Sequence, residues 1–132
     1  MKTNKLPLVG FERFKKHPEY IIYIDDNIAV LDNVSSIMET NERASKMECF
    51  MLVFCQEGSL TIQINGRNYQ LIADHCAILP PGTIVRKMNS EQSYVLKIAV
   101  ASQVFLKDIL SPSNDTCNVI RYLYNNPIFP IS

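Results

Sequence analysis

The sequence predicts a mostly β domain, a small antiparallel jelly-roll barrel followed by short carboxy-terminal α-helices. Three observations carry that prediction. Short segments of alternating apolar residues follow one another from Tyr20 to Val100 at spacings that leave no room for crossover helices. The pair Asn65-Gly66 and the corner Pro80-Pro81-Gly82 sit between such segments, where tight turns are needed. After Val100 the apolar period lengthens from that of a strand to that of a helix.

Residues 1–19 read as an amino-terminal arm. Pro7, Gly10 and Pro18 break any long element there, and Phe11-Glu12-Arg13-Phe14-Lys15 offers apolar residues to pack on the barrel. The barrel spans residues 20–100. Tyr20 to Ile24 and Ile28 to Leu31 are strands around the turn Asp25-Asp26-Asn27. The polar stretch Asp32 to Met47 reads as a loop at the barrel rim. From Cys49 to Cys55 both faces are apolar, the pattern of a strand buried on both sides. Leu60, Ile62 and Ile64 alternate with Thr61 and Gln63 in a half-buried strand, and Asn65-Gly66 supplies the two positive-φ residues of a type I′ turn. Tyr69 to Ile72, Cys76 to Leu79, Ile84 to Met88 and Tyr94 to Val100 complete the strand set.

Residues 101–132 read as the start of a helical dimerisation or linker region. Phe105, Leu106, Ile109 and Leu110 fall on one helical face behind a cap at Ser102, and Pro112 ends that helix. Asp115 caps a second helix carrying Val119, Ile120 and Leu123. The apolar tail Ile128-Phe129-Pro130-Ile131-Ser132 reads as the approach to a further helix.

Composition excludes several classes. A chain of 132 residues is one domain with room for a real core. Thirteen basic residues balance thirteen acidic ones, so no duplex-binding surplus of positive charge is expected. Cys49, Cys55, Cys76 and Cys117 show no C-x-x-C or zinc spacing. Along a straight strand Cys49 and Cys55 lie roughly 20 Å apart at about 3.3 Å per residue, too far for a disulfide. Free thiols, no signal-like run in residues 1–11 and no long apolar segment point to a cytoplasmic protein without membrane contact.

From Gly58 to Gly82 the order of a Gly, then Asp74, then Pro80-Pro81-Gly82 resembles the core of the cupin superfamily, whose fold is a double-stranded β-helix, or jelly-roll barrel. In metal-bearing cupins that resemblance places the last His ligand at Val85, the earlier His-x-His pair within Ala44-Ser45-Lys46-Met47, and the Glu ligand at Met51. None of these residues brings an imidazole or carboxylate, and the chain holds only His17 and His75. No cofactor and no metal is expected.

Within the cupins the chain is similar to the amino-terminal sensor domain of the AraC/XylS family of transcription regulators. Four segments carry the likeness: Val53-Phe54-Cys55-Gln56-Glu57-Gly58; Asn65-Gly66-Arg67 with Tyr69 and Leu71; Ala77-Ile78-Leu79-Pro80-Pro81-Gly82; and Ile98-Ala99-Val100 leading into Phe105 to Leu110. The resemblance implies a small-molecule effector inside the barrel, homodimerisation through the helices of Phe105, Leu106, Ile109 and Leu110, and DNA contact only through a carboxy-terminal helix-turn-helix domain that this chain does not contain. It also sets Arg43, counted back without a gap from Gly58, where the family's arabinose-sensing archetype has a sugar-binding arginine.

Pocket-lining residues should share the parity of the absent metal ligands. That selects Thr83, Val85 and Lys87 after the Pro-Gly corner, Cys49, Met51 and Val53 on the central strand, and Val95, Lys97 and Ala99 on the last. The candidate effector site is therefore Arg43, Met51, Tyr69, Val85, Lys87 and Lys97. Three converging cations call for a carboxylate-bearing or sugar-like ligand, unless the lysine heads reach water at the barrel mouth. His75 and Cys76, as strand neighbours, point to opposite faces and make no nucleophile–base pair. The domain reads as a non-enzymatic effector sensor. A metal-free cupin enzyme of isomerase or epimerase type is the alternative, and a solidly packed dimerisation module is a third reading.

Overall fold

The strand alternation closes into a sandwich of two sheets that share one long strand. The computed structural model describes residues 8–16, 18–34, 44–87, 93–105, 121–123 and 125–131. Its strands are β1 (Leu8–Val9), β2 (Ile21–Ile24), β3 (Ile28–Val34), β4 (Ser45–Met47), β5 (Phe50–Ile64), β6 (Arg67–Ile72), β7 (His75–Leu79), β8 (Ile84–Lys87), β9 (Tyr94–Ala101) and β10 (Ile128–Pro130), with a 3-10 turn over Phe11–Lys16. Sheet I runs β1-β4-β8-β5-β6 and sheet II runs β2-β3-β9-β5-β7-β10. Every ladder is antiparallel except β1 against β4, which departs from the uniform antiparallel pattern that short connections imply.

β5 belongs to both sheets, where the sequence suggests two separate strands. It pairs β9 and β7 with its first half and β6 and β8 with its second. The register slips between Cys55 and Glu57, and one extra residue reverses which side chains face inward. Met51, Val53 and Cys55 are buried before the slip, and Leu60, Ile62 and Ile64 after it. Gly58 makes the crossing possible. Its φ is +76°, and a Cβ there would lie 2.0 Å from the Ser93 carbonyl oxygen. Only glycine lets β9 approach so closely.

Phe50, Leu52 and Phe54 are half-buried on the outer face of sheet II, so β5 is apolar on both sides there. Phe54 stands opposite Cys76, which stands opposite Phe129 of β10. The apolar tail is thus a sheet strand rather than the lead-in to a helix. The apolar positions of the tail are satisfied by a place beside β7.

The Asn65-Gly66 turn is as the sequence predicts, with φ of 51° and 84°. The polar stretch before Met47 is only partly loop. β3 continues to Val34, and Ser45–Met47 form β4, their alternating burial too short a signal to separate from a turn. The amino-terminal segment is part of the core, because β1 pairs β4 and both Phe11 and Phe14 are buried. After β9, residues 103–105 are helical. Their cap is the predicted one: the Phe105 N–H donates to Ser102 Oγ at 3.2 Å. Leu106, Ile109 and Leu110 lie outside the described residues. Among the described residues no helix is long and apolar enough to cross a membrane.

Candidate binding site: the inner face of sheet I

Strand registers order the interior into rows. On sheet II, Ala29, Val100, Met51 and Leu79 form one row and Leu31, Ile98, Val53 and Ala77 the next. All are buried and belong to the hydrophobic core. On sheet I, Ile64 pairs Val85, which pairs Ser45, while Ile62 has Tyr69 on one side and Lys87 on the other. Sheet I brings polar groups to the interior: Ser45 and Thr83 are buried, and Tyr69 is half-buried against the core, while Tyr94 is buried on β9 of sheet II.

The positions that the cupin resemblance reserves for metal ligands face inward. Ser45, Met47, Met51 and Val85 are all buried, and Ser45 is the cross-strand partner of Val85. They offer one hydroxyl, two thioethers and a branched alkyl group. A mononuclear iron, manganese or zinc ion needs three or more nitrogen, oxygen or thiolate donors converging on it. This set does not fit one. Among the described residues no three His, Cys, Asp or Glu side chains are grouped to hold a metal.

Of the predicted effector residues, the structure brings Met51 and Val85 into the core and Tyr69 to its edge, and it sets Lys87 in the strand position opposite Ile62. Lys97 is a correction. It pairs Phe54 on the outer face of sheet II and is exposed. β9 buries Tyr94, Leu96, Ile98 and Val100, so the inward parity is the reverse of the Val95, Lys97, Ala99 set. Both parities of β9 are largely apolar, which is why the sequence does not separate them. Arg43 lies outside the described residues. Three cations therefore do not converge on the barrel interior.

His75 begins β7 and is half-buried, with Nδ1 3.1 Å from the Ala73 carbonyl oxygen. Burial pushes the thiols of Cys49 and Cys76 up to about 11, and it raises Cys55 as well. These thiols stay protonated near neutrality and are poor nucleophiles. All three are free and buried.

No protein-family profile matches the sequence. No curated protein matches it either. Among solved structures, the chain is similar to the cupin domain of Schizosaccharomyces pombe Cnp3, with TM-score 0.51 and 13% identity over 67% of this chain and 66% of that one. It is also similar to a provisionally assigned mannose-6-phosphate isomerase from Ralstonia eutropha, with TM-score 0.47 and 10% identity over 62% and 81% of the two chains. KdgF from a Halomonas species gives TM-score 0.45 and 11% identity over 68% and 80%. The chain spans about two thirds of the Cnp3 cupin domain.

The fold is that of the cupins, a curled two-sheet β structure. At these identities the likeness is one of fold alone. The expectation of a non-enzymatic domain is corrected here: one of the similar solved structures is provisionally assigned as an isomerase, so this fold does not by itself argue against catalysis. Function has to be argued from the site.

Proposed function

We propose that this is a small cupin that binds a polar metabolite at the inner face of sheet I and acts on it by metal-independent acid–base chemistry of the isomerase or epimerase type. The observation that carries the proposal is the row Tyr69–Ile62–Lys87, which sets a phenol-bearing and an amine-bearing residue as the two cross-strand neighbours of one buried isoleucine. Next-but-one strands lie roughly 10 Å apart, a span that fits a small sugar acid or hydroxy acid. In such a site Lys87 would hold the carboxylate or take a proton from the adjoining carbon, and Tyr69 would donate to the developing oxyanion. Met51 and Val85 would form the apolar floor.

The test is solvent exchange. Sugar acids, hydroxy acids and sugar phosphates are incubated with the protein in D2O containing EDTA and followed by proton NMR. Incorporation of deuterium next to a carbonyl, lost in Tyr69→Phe and Lys87→Met, supports the reading. Exchange that needs an added divalent metal, or persists in both variants, refutes it.

A second reading has its own support. The Ser102-capped helical start directly after β9 lies where the AraC/XylS resemblance expects the first dimerisation helix. On that reading the barrel is the effector-sensing domain of a cytoplasmic, homodimeric transcription regulator, and ligand shifts the population of helix placements. Effector-dependent change in sedimentation coefficient would support it. No change at saturating ligand would count against it.

A further inference from the structure

The charges of this neutral chain are not evenly spread. The strands of sheet I hold Lys46, Arg67, Arg86 and Lys87, and between Leu8–Val9, Ser45–Met47, Ser59–Ile64, Arg67–Ile72 and Ile84–Lys87 there is no Asp or Glu. On the outer face of that sheet Arg86 pairs Gln63, which pairs Asn68, and the next row is Ile84, Lys46 and Leu8. Gln63 Nε2 donates to Asn68 Oδ1 at 3.2 Å, and Asn65 Oδ1 accepts from the Ile84 N–H at 3.0 Å.

Two donors in this patch are left over. Arg86 Nε and Asn65 Nδ2 are both enclosed without a hydrogen-bond partner. Asn65 follows β5 in the turn, and its hydrogen bonds to Ile84 hold it beside β8, two residues along from Arg86. Among the described residues no carboxylate pairs with Arg86. A half-buried guanidinium with no counter-charge is unfavourable on its own, and its planar donors match a carboxylate. The adjoining row presents exposed aliphatic side chains, Ile84 (36% exposed) and Leu8 (55%).

We infer that the outer face of sheet I is a docking surface for an acidic, aliphatic segment of a partner protein, with a Glu or Asp carboxylate seated on the Arg86 guanidinium and apolar side chains on Ile84 and Leu8. Arginine is enriched at protein interfaces, whose buried centres are apolar. The described residues of this face carry no aromatic ring, so it lacks the stacking platform of a single-strand nucleic-acid binder.

The test is a nitrogen-15 NMR titration of the intact protein with a synthetic peptide of alternating Glu and Leu. The peptide is expected to move the side-chain N–H signals of Arg86, Asn65, Gln63 and Asn68, with affinity falling about tenfold in Arg86→Gln and less in Lys46→Gln. Both variants should keep the wild-type amide spectrum elsewhere. The surface is misassigned if no shift occurs, if the shifts fall elsewhere, or if Arg86→Gln binds unchanged. It is equally misassigned if a Lys-for-Glu peptide, free succinate or oligothymidylate reproduces the same shifts at the same concentration.

Discussion

Ser45 and Val85 stand opposite each other across the β4–β8 ladder, both facing inward, at 4% and 1% exposure. Metal-bearing cupins are expected to place ligands at this part of the wall. Here a hydroxyl and a branched alkyl group close it, with Met51 on the central strand also buried. The melting temperature should therefore be the same in EDTA as in manganese, zinc or nickel salts. A rise of several degrees with any one of these would show donors that this arrangement does not supply.

The phase of β9 separates two lysine-and-isoleucine neighbours. Ile98 is buried in a row with Leu31 and Val53, whereas Lys97 is exposed beyond it. Ile98→Ala should cost about 2–5 kcal/mol, the range for large-to-small changes in a packed core. Lys97→Met should stay within about 0.5 kcal/mol, as for ordinary surface sites. Urea denaturation monitored by circular dichroism measures both. Equal costs would mean that β9 is turned the other way.

Two positive-φ glycines, one within β5 and one in the turn after it, should respond differently. Gly58 and Gly66 both have positive φ, but a Cβ on Gly66 meets nothing within 4 Å, while one on Gly58 runs into the backbone of Ser93. Gly66→Ala should cost on the order of 1 kcal/mol from backbone strain alone. Gly58→Ala should cost more, since β9 must move away from β5. Paired denaturation curves check the order, and a reversed order would contradict the crossing of β5 at that point.

Much of this architecture was legible from residues. Asn65-Gly66, the alternation through Leu60, Ile62 and Ile64, and the Ser102 cap encode their structures locally, because each rests on neighbours in sequence. The inward facing of Thr83 and Val85 was legible too, being fixed by strand parity after the Pro80-Pro81-Gly82 corner. What escaped depends on partners distant in the chain. β10 is a strand because β7 offers an edge, β1 pairs β4 across more than thirty residues, and Lys97 faces outward because β9 is registered with Lys97 opposite Phe54 on the outer face of β5. The patch around Arg86 escaped for the same reason: net charge is blind to which strands share a face.

The buried thiols give a pH prediction. Cys49 and Cys76 ionise at about 11 in the fold against an ordinary thiol value of 9.0, because burial disfavours the thiolate. Above pH 9 the unfolded chain loses those protons while the native state keeps them, so unfolding is favoured. Stability should be flat in this respect below pH 9 and fall as pH rises from 9 towards 11. Native protein should also react with a disulfide reagent at Cys49, Cys55 and Cys76 only as fast as it opens, and promptly in denaturant. Rapid labelling of these three in the native state would contradict their burial.

The most direct measurement is ligand-induced thermal stabilisation, in EDTA, of the wild type beside Tyr69→Phe and Lys87→Met. With sugar acids and hydroxy acids as the panel, at least one compound should raise the wild-type melting temperature, and the rise should shrink in both variants. A rise that survives intact in both, or that appears only when a divalent metal is restored, would contradict a metal-independent site on the inner face of sheet I.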